Sequence, residues 1–222
     1  MKIDVLTLFP LMFDGFVNTS IIGRAVKDNK VTINIHNIRD FSKESNNRVD
    51  DYGFGGGHGM VLMPAPIFDA VDHFRTPDSL VIMMTPQGKT YNQEQAYNLT
   101  KYNHIIIICG HYEGFDERIR SIVDLEISIG DYVLTGGEIP SMVVIDSVIR
   151  LIDGVIIEES HLNESFNNNL LDHPVYTKPQ NFRGMEVPEV LLSGHHENIR
   201  KWREEEALKK TLERRPDLLE KR

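Results

Sequence analysis

Short apolar runs alternate along the chain with stretches whose apolar residues recur at helical spacing. The runs Lys2–Leu8, Val31–Ile38, Leu80–Met84, His104–Cys109 and Asp124–Ile129 have strand length and end at polar or glycine-bearing turns. Between them the periodicity predicts helices over Met12–Lys27, Ala65–Phe74, Asn92–Thr100, Asp116–Val123 and Glu138–Ile152. In the last, Ile145, Val148, Ile149 and Ile152 fall at i, i+3, i+4 and i+7 and form one stripe. Such β–α alternation predicts an α/β fold, a largely parallel sheet with helices on both faces. Burial on both faces also explains why Ile105–Ile108 is apolar without interruption.

The alternation stops after Gly154. Residues 158–169 are polar and rich in asparagine, with too little apolar surface to pack, and read as a flexible linker. Prolines 174, 179 and 188 punctuate the next passage, and a helix over His196–Leu212 carries the only tryptophan, Trp202. The expected organisation is a domain over 1–156, a linker over 157–169, and a small, mainly helical domain over 170–222.

Composition is that of an ordinary globular protein. No apolar stretch approaches the roughly 18 residues that a membrane span needs, and the first run carries Asp4 inside it and Pro10 after it, which suits a core strand and not a signal peptide. Cys109 is the only cysteine, so no intrachain disulfide forms, and a cytoplasmic location is expected. The net charge of −9 argues against a protein that simply coats nucleic acid, but the charge is uneven: residues 173–222 sum to +2 and residues 1–172 to −11. The cations from Arg200 to Arg215 could form a nucleic-acid surface or the solvated face of a mixed-charge helix.

Three strands release polar loops bearing glycine. Leu80–Met84 runs into Thr85-Pro86-Gln87-Gly88, His104–Cys109 into Gly110-His111-Tyr112-Glu113-Gly114, and the fifth run into Gly130-Asp131-Tyr132 and on to Gly136-Gly137-Glu138. Ligands of parallel α/β sheets bind at such carboxyl ends. The backbone and side chains here could hold an adenosine-like molecule. Familiar nucleotide motifs fail: in the Gly53–Gly59 loop the third glycine of the dinucleotide fingerprint falls on His58 or Met60, and a P-loop ending at Gly88-Lys89-Thr90 would need glycine where Met83 stands. That loop is either a close backbone approach to a ligand or a flexible surface turn. No zinc spacing and no nucleophile elbow is present.

These segments carry a resemblance to a known family. Leu8-Phe9-Pro10, Gly23-Arg24-Ala25, Val49 to Gly53 with Gly55 to Met60, Pro86-Gln87-Gly88, Cys109 to Gly114 with Asp116-Glu117-Arg118, and Ser128 to Pro140 follow one another as in the bacterial tRNA (guanine-N1)-methyltransferases. Asp146-Ser147, Arg150, Leu170-Leu171-Asp172, Gly184 to Pro188, Leu191 to Gly194 and Arg214-Arg215-Pro216 continue the match over nearly the whole chain.

The resemblance implies a SPOUT fold with a C-terminal deep trefoil knot, S-adenosylmethionine as methyl donor, and a homodimer whose active site lies at the subunit interface. The implied substrate is tRNA bearing guanosine immediately 3′ of the anticodon, at position 37. Carried over by motif, cofactor binding falls to Met84, Thr85, Pro86, Gln87, Gly88, Gly110, Tyr112, Glu113, Ser128, Ile129, Gly130, Tyr132, Leu134, Gly136, Gly137 and Pro140, and tRNA binding to Gly55, Gly57, Gly59, Ser193 and Arg200. Magnesium is a further implication, with Glu113 as a participant.

Guanine N1 is protonated near neutral pH, so methylation needs a base, and charge then grows toward O6. The family places an aspartate before Ser-Phe in the linker as base, with an arginine ending the preceding helix. Arg150 matches the arginine, but Ser165-Phe166 here follows Glu164 in a linker about one residue shorter. Glu164 is the expected base and Asp172 the reserve. The second domain also stops soon after Arg215-Pro216, and His195 stands where relatives carry asparagine. Two other readings remain: a knotted RNA methyltransferase of different target base, and a catalytically inactive RNA-binding protein.

Overall fold

A computed structural model describes residues 1–157 and 164–220. The chain divides into two compact units, Met1–Ile156 and Ile157–Arg222. The central part of the expected linker, 158–163, lies outside the described residues.

The first unit is built on a parallel five-stranded sheet, β1 Lys2–Thr7, β2 Thr32–Asn37, β5 Ser79–Thr90, β6 His104–Cys109 and β7 Leu125–Ser128, in the order β2-β1-β6-β5-β7. A small antiparallel pair, β3 Asp50–Tyr52 and β4 Met60–Leu62, stands apart from it. Helices α1 Asp14–Asn18, α2 Ser20–Lys27, α3 Pro64–Phe74, α4 Gln93–Leu99 and α5 Glu138–Ile149 complete the unit. Strand alternation feeds two cores. Ile105, Ile107 and Cys109 join Ile3, Val5, Val144 and Ile145 in one, while Ile106 and Ile108 join Leu6, Ile67, Val71 and Ile119 in the other. With six buried residues in succession, β6 is covered on both faces.

The amino ends of the strands are tied by a buried charge. Asp4 is fully buried and accepts hydrogen bonds from Lys2 Nζ at 2.7 Å, Asn34 Nδ2 at 2.8 Å, His36 Nε2 at 2.9 Å and His104 Nε2 at 2.6 Å. Burial alone would raise its pKa; the donors outweigh burial and hold the carboxyl well below the usual carboxylate range. This network lies at the opposite end of the sheet from the glycine-bearing exits.

Several elements differ from the periodicity. The helix expected over Met12–Lys27 is a 3-10 turn, Pro10–Phe13, followed by α1 and α2, because Thr19 is extended (φ −125°, ψ 164°). Asn18 Nδ2 donates to Asp14 O and Thr19 Oγ1 to Gly15 O, bonds that compete with helix continuation. Asp116–Val123 is a 3-10 helix, Glu117–Ile122, entered through Asp116 Oδ1, which accepts from Arg118 N. The stripe ending at Ile152 outlasts α5, which stops at Ile149. The strand expected to end at Met84 makes a four-residue excursion and returns: Met84 and Lys89 both pair with Ile127, and Thr90 pairs with Ser128.

In the second unit β8 Asn181–Phe182 and β9 Met185–Glu186 form a short antiparallel pair, followed by α6 Glu189–Leu192 and α7 His196–Arg214. Buried Thr211 of α7 accepts from Leu171 N at 2.9 Å, and Lys210 Nζ donates to Asp172 O at 3.0 Å, so residues 171–172 are bound along the helix.

Candidate active site

The three strand exits meet in one cavity of about 250 Å³ in the first unit. Thr85 and Pro86 come from the β5 excursion, Gly110 to Phe115 from the loop after β6, and Ser128 to Gly136 from the segment after β7, with Pro140 from α5. Of the expected cofactor residues, Thr85, Pro86, Gly110, Tyr112, Glu113, Ser128, Ile129, Gly130, Tyr132, Leu134, Gly136 and Pro140 line it. Met84, Gln87, Gly88 and Gly137 do not line it.

Close backbone approach explains two of these. A Cβ on Gly88 would lie 2.5 Å from Ile127 N and 2.6 Å from Glu126 C, so the excursion can lie on β7 only as glycine. A Cβ on Gly137 would lie 2.7 Å from Gly110 N and 2.8 Å from Cys109 Cα; in its absence Gly137 N donates to Gly110 O at 2.8 Å, and His111 bridges to Gly136. The second and third exits are thereby joined.

Each loop is braced from outside. Glu113 N donates to Met60 O, Leu62 N to Gly114 O and Asp116 N to Leu62 O, so β4 holds the second loop along its length. Tyr112 sits at φ 60°, an uncommon conformation for a non-glycine residue, and its hydroxyl accepts from Arg39 Nη2 at 3.4 Å. Ser128 Oγ donates to Gly130 O and accepts from Gly130 N, closing the third exit. Beneath the floor, buried Glu138 Oε1 accepts from Thr7 Oγ1 at 2.7 Å. Cys109 is fully buried beside Ser141, and burial pushes its thiol pKa up, the opposite of an activated nucleophile.

The pocket also uses His111, Phe115 and Val133, which the sequence reading did not assign. His111 Nδ1 is buried without a hydrogen-bond partner among the described residues. Its position between Gly110 and Tyr112 was the available signal.

Comparison with known proteins identifies the family. The family model described as tRNA (Guanine-1)-methyltransferase TrmD matches residues 1–221. The chain belongs to this family. It is 55% identical over 221 residues to the tRNA (guanine-N(1)-)-methyltransferase of Mycoplasma mycoides subsp. mycoides, covering 99% of this chain and 92% of that one. The protein of the same name from Malacoplasma penetrans is 58% identical over 218 residues, with 98% and 96% covered, and that of Anoxybacillus flavithermus 57% over 225 residues, with 99% and 92% covered. A member of the tRNA (guanine-N1)-methyltransferase family is an enzyme that methylates tRNA, and the inactive RNA-binding reading is set aside.

The expected catalytic carboxylates fall together in the second unit. Glu164 and Asp172 line one cavity of about 630 Å³ with His173, His196, Arg200 and Arg203. The segment folds back on itself: Phe166 N donates to Leu170 O at 2.7 Å and Asp172 N to Ser165 Oγ at 2.9 Å. Arg150 is the C-cap of α5 in the first unit.

The expected tRNA contacts are spread over both units. Gly55, Gly57 and Gly59 lie in the β3–β4 loop at positive φ, and Ser193 turns the chain before α7 by accepting from His195 N. Arg200 is already engaged by Glu197 at 2.7 Å and Glu204 at 2.6 Å, so the mixed-charge helix accounts for its charge. No group of three His, Cys, Asp or Glu side chains among the described residues is placed to hold a metal, and the Glu113 carboxylate lies against Gly59. This donor set gives the magnesium expectation no support. No helix among the described residues is long and apolar enough to cross a membrane.

Proposed function

We propose that the chain transfers a methyl group from S-adenosylmethionine to N1 of the guanosine at position 37 of tRNA, with Glu164 as base. The observation that carries this reading is the convergence of three glycine-bearing strand exits on one cavity within a tRNA (guanine-N1)-methyltransferase. The residues present suit such a cofactor: close packing at Gly88 and Gly137 draws the three exits together around one cavity, His111 Nδ1 is buried beside it with no hydrogen-bond partner among the described residues, and the loops offer backbone groups to a purine and a ribose. The Thr85–Gly88 excursion, Gly110 with Tyr112, and the segment from Ser128 to Gly137 would hold it. Once bound, it supplies an electrophilic methyl.

The chain's own residues supply the rest. The Glu164 carboxylate takes the N1 proton, Arg150 stabilises the charge growing on O6, and Asp172, on the same cavity as Glu164, is the reserve base. The pairing of Gly137 and Gly136 with the β6 exit supports a knotted arrangement of the SPOUT type, because the chain after β7 returns against the strand end it has passed. Exposed Leu11 and Met12 lie on the Pro10–Phe13 turn, which touches α5 with its exposed Ile139 and Val143; an apolar surface of this kind supports a homodimer. The β3–β4 loop, Ser193 and α7 are the proposed contacts to tRNA in the cytoplasm.

The test is transfer of labelled methyl from S-adenosylmethionine to unmodified tRNA. Incorporation is expected with native tRNA and lost when the guanosine 3′ of the anticodon is replaced. Equal incorporation into both tRNAs, or tRNA binding without turnover, contradicts the proposal.

A further inference from the structure

We propose that Arg120 is a positioning residue for the cofactor site, acting through Gln87. The inference rests on the assignment of the strand-exit pocket to S-adenosylmethionine and extends it to a side chain outside the pocket wall.

The β5 excursion is pinned at its base. Both of its ends are fixed on one residue of β7, since Met84 and Lys89 pair with Ile127. The freedom left to Thr85-Pro86-Gln87-Gly88 is therefore the tilt of its tip. Within the tip, Gln87 N donates to Thr85 Oγ1 at 3.3 Å, and Thr85 and Pro86 face the pocket. The Gln87 side chain faces away and accepts through Oε1 from Arg120 Nη2.

Arg120 is suited to hold that tip. It belongs to the 3-10 helix Glu117–Ile122, whose neighbouring Ile119 is fully buried in the core. Its guanidinium is spread over three partners: Nε donates to Glu117 Oε2 at 2.9 Å, Nη1 to Glu126 Oε2 on β7, and Nη2 to Gln87. The side chain is 27% exposed, so these charge-assisted bonds are partly shielded from water. One planar fork thus fixes the excursion relative to the strand it rests on. Lysine keeps the charge but cannot reproduce the fork.

The experiment measures S-adenosylmethionine binding by calorimetry, and steady-state methyl transfer to tRNA, on the full chain. Arg120→Met is expected to raise Kd and KM for S-adenosylmethionine roughly five- to twentyfold, with kcat at saturating cofactor within about twofold of wild type. Arg120→Lys should fall between, and it carries the test if the methionine variant does not fold. In a Gln87→Leu background Arg120→Met should add nothing, because the contact is already lost. An equal further loss in that background overturns the proposal, as does a fall in kcat with KM unchanged.

Leu134→Trp, which crowds the pocket away from Arg120, separates the two levels of the argument. If it weakens binding while Arg120→Met does not, the Arg120 inference alone fails. If neither weakens binding, the pocket assignment fails and takes the inference with it.

Discussion

Gly88→Ala isolates the contact between the first cofactor loop and the sheet. The added methyl would stand 2.5 Å from Ile127 N, 2.6 Å from Glu126 C and 2.7 Å from Ile127 C. All are backbone atoms, so no side chain can rotate aside, and the loop or β7 must recede by about 1 Å to restore ordinary contact. Overpacking of this kind costs about 1–3 kcal/mol. At roughly 2–4 °C per kcal/mol for a chain of this size, the midpoint of thermal unfolding should fall by about 5 °C. The functional effect should be larger, because a displacement of about 1 Å at a positioned ligand can cost ~10²-fold in rate. Calorimetric titration should show S-adenosylmethionine affinity at least roughly tenfold weaker while the protein remains folded. Gly15→Ala is the control: it sits on α1 with no atom within 4 Å of the new methyl. If Gly88→Ala matches Gly15→Ala in both unfolding and binding, the close-approach argument is wrong.

Removing the buried charge in Asp4→Asn should cost about 2–4 kcal/mol, discounted for the half-exposed Lys2 among its partners, as measured by urea unfolding. Because the folded-state pKa is depressed, the stability from Asp4 is fully present above the ordinary carboxylate value of 3.8 and is lost as pH falls below it; the Asn variant should show a shallower acid limb. Glu164→Gln should lower single-turnover methyl transfer by about 10²-fold or more while S-adenosylmethionine binding is kept, and Glu164→Asp should retain part of the rate; near-normal transfer by the Gln variant would remove Glu164 from the role of base. Charging the exposed apolar surface with Leu11→Glu and Ile139→Glu should convert a dimer to monomers in sedimentation velocity, and a wild-type monomer would contradict the proposed assembly.

The parallel sheet was legible because strands alternate with helical stretches and Ile105–Ile108 of β6 is apolar without interruption, as a strand covered on both faces requires. The exits at Gly110 and Gly130 were legible because each closes a strand-length run with glycine. The return of β5 after Gly88 was not, since Lys89 and Thr90 are too short a segment to show strand periodicity, and their pairing depends on β7 lying alongside. The break at Thr19 was hidden because Asn18 and Thr19 have unremarkable helix propensity, while their side-chain bonds to Asp14 and Gly15 form only in the folded chain. Phe115 reaches the pocket on a loop whose backbone β4 braces at Glu113, Gly114 and Asp116, a long-range contact without local sequence signature. The Arg120 fork likewise joins residues 33 positions apart.

The central claim, that the strand exits form the cofactor site, is tested most directly by amide hydrogen exchange with and without S-adenosylmethionine. Protection is predicted in the segments 85–88, 110–115 and 128–137, with the sheet's amino ends around Asp4 and His104 unchanged. Protection confined to other segments, or none at saturating cofactor, would contradict the account.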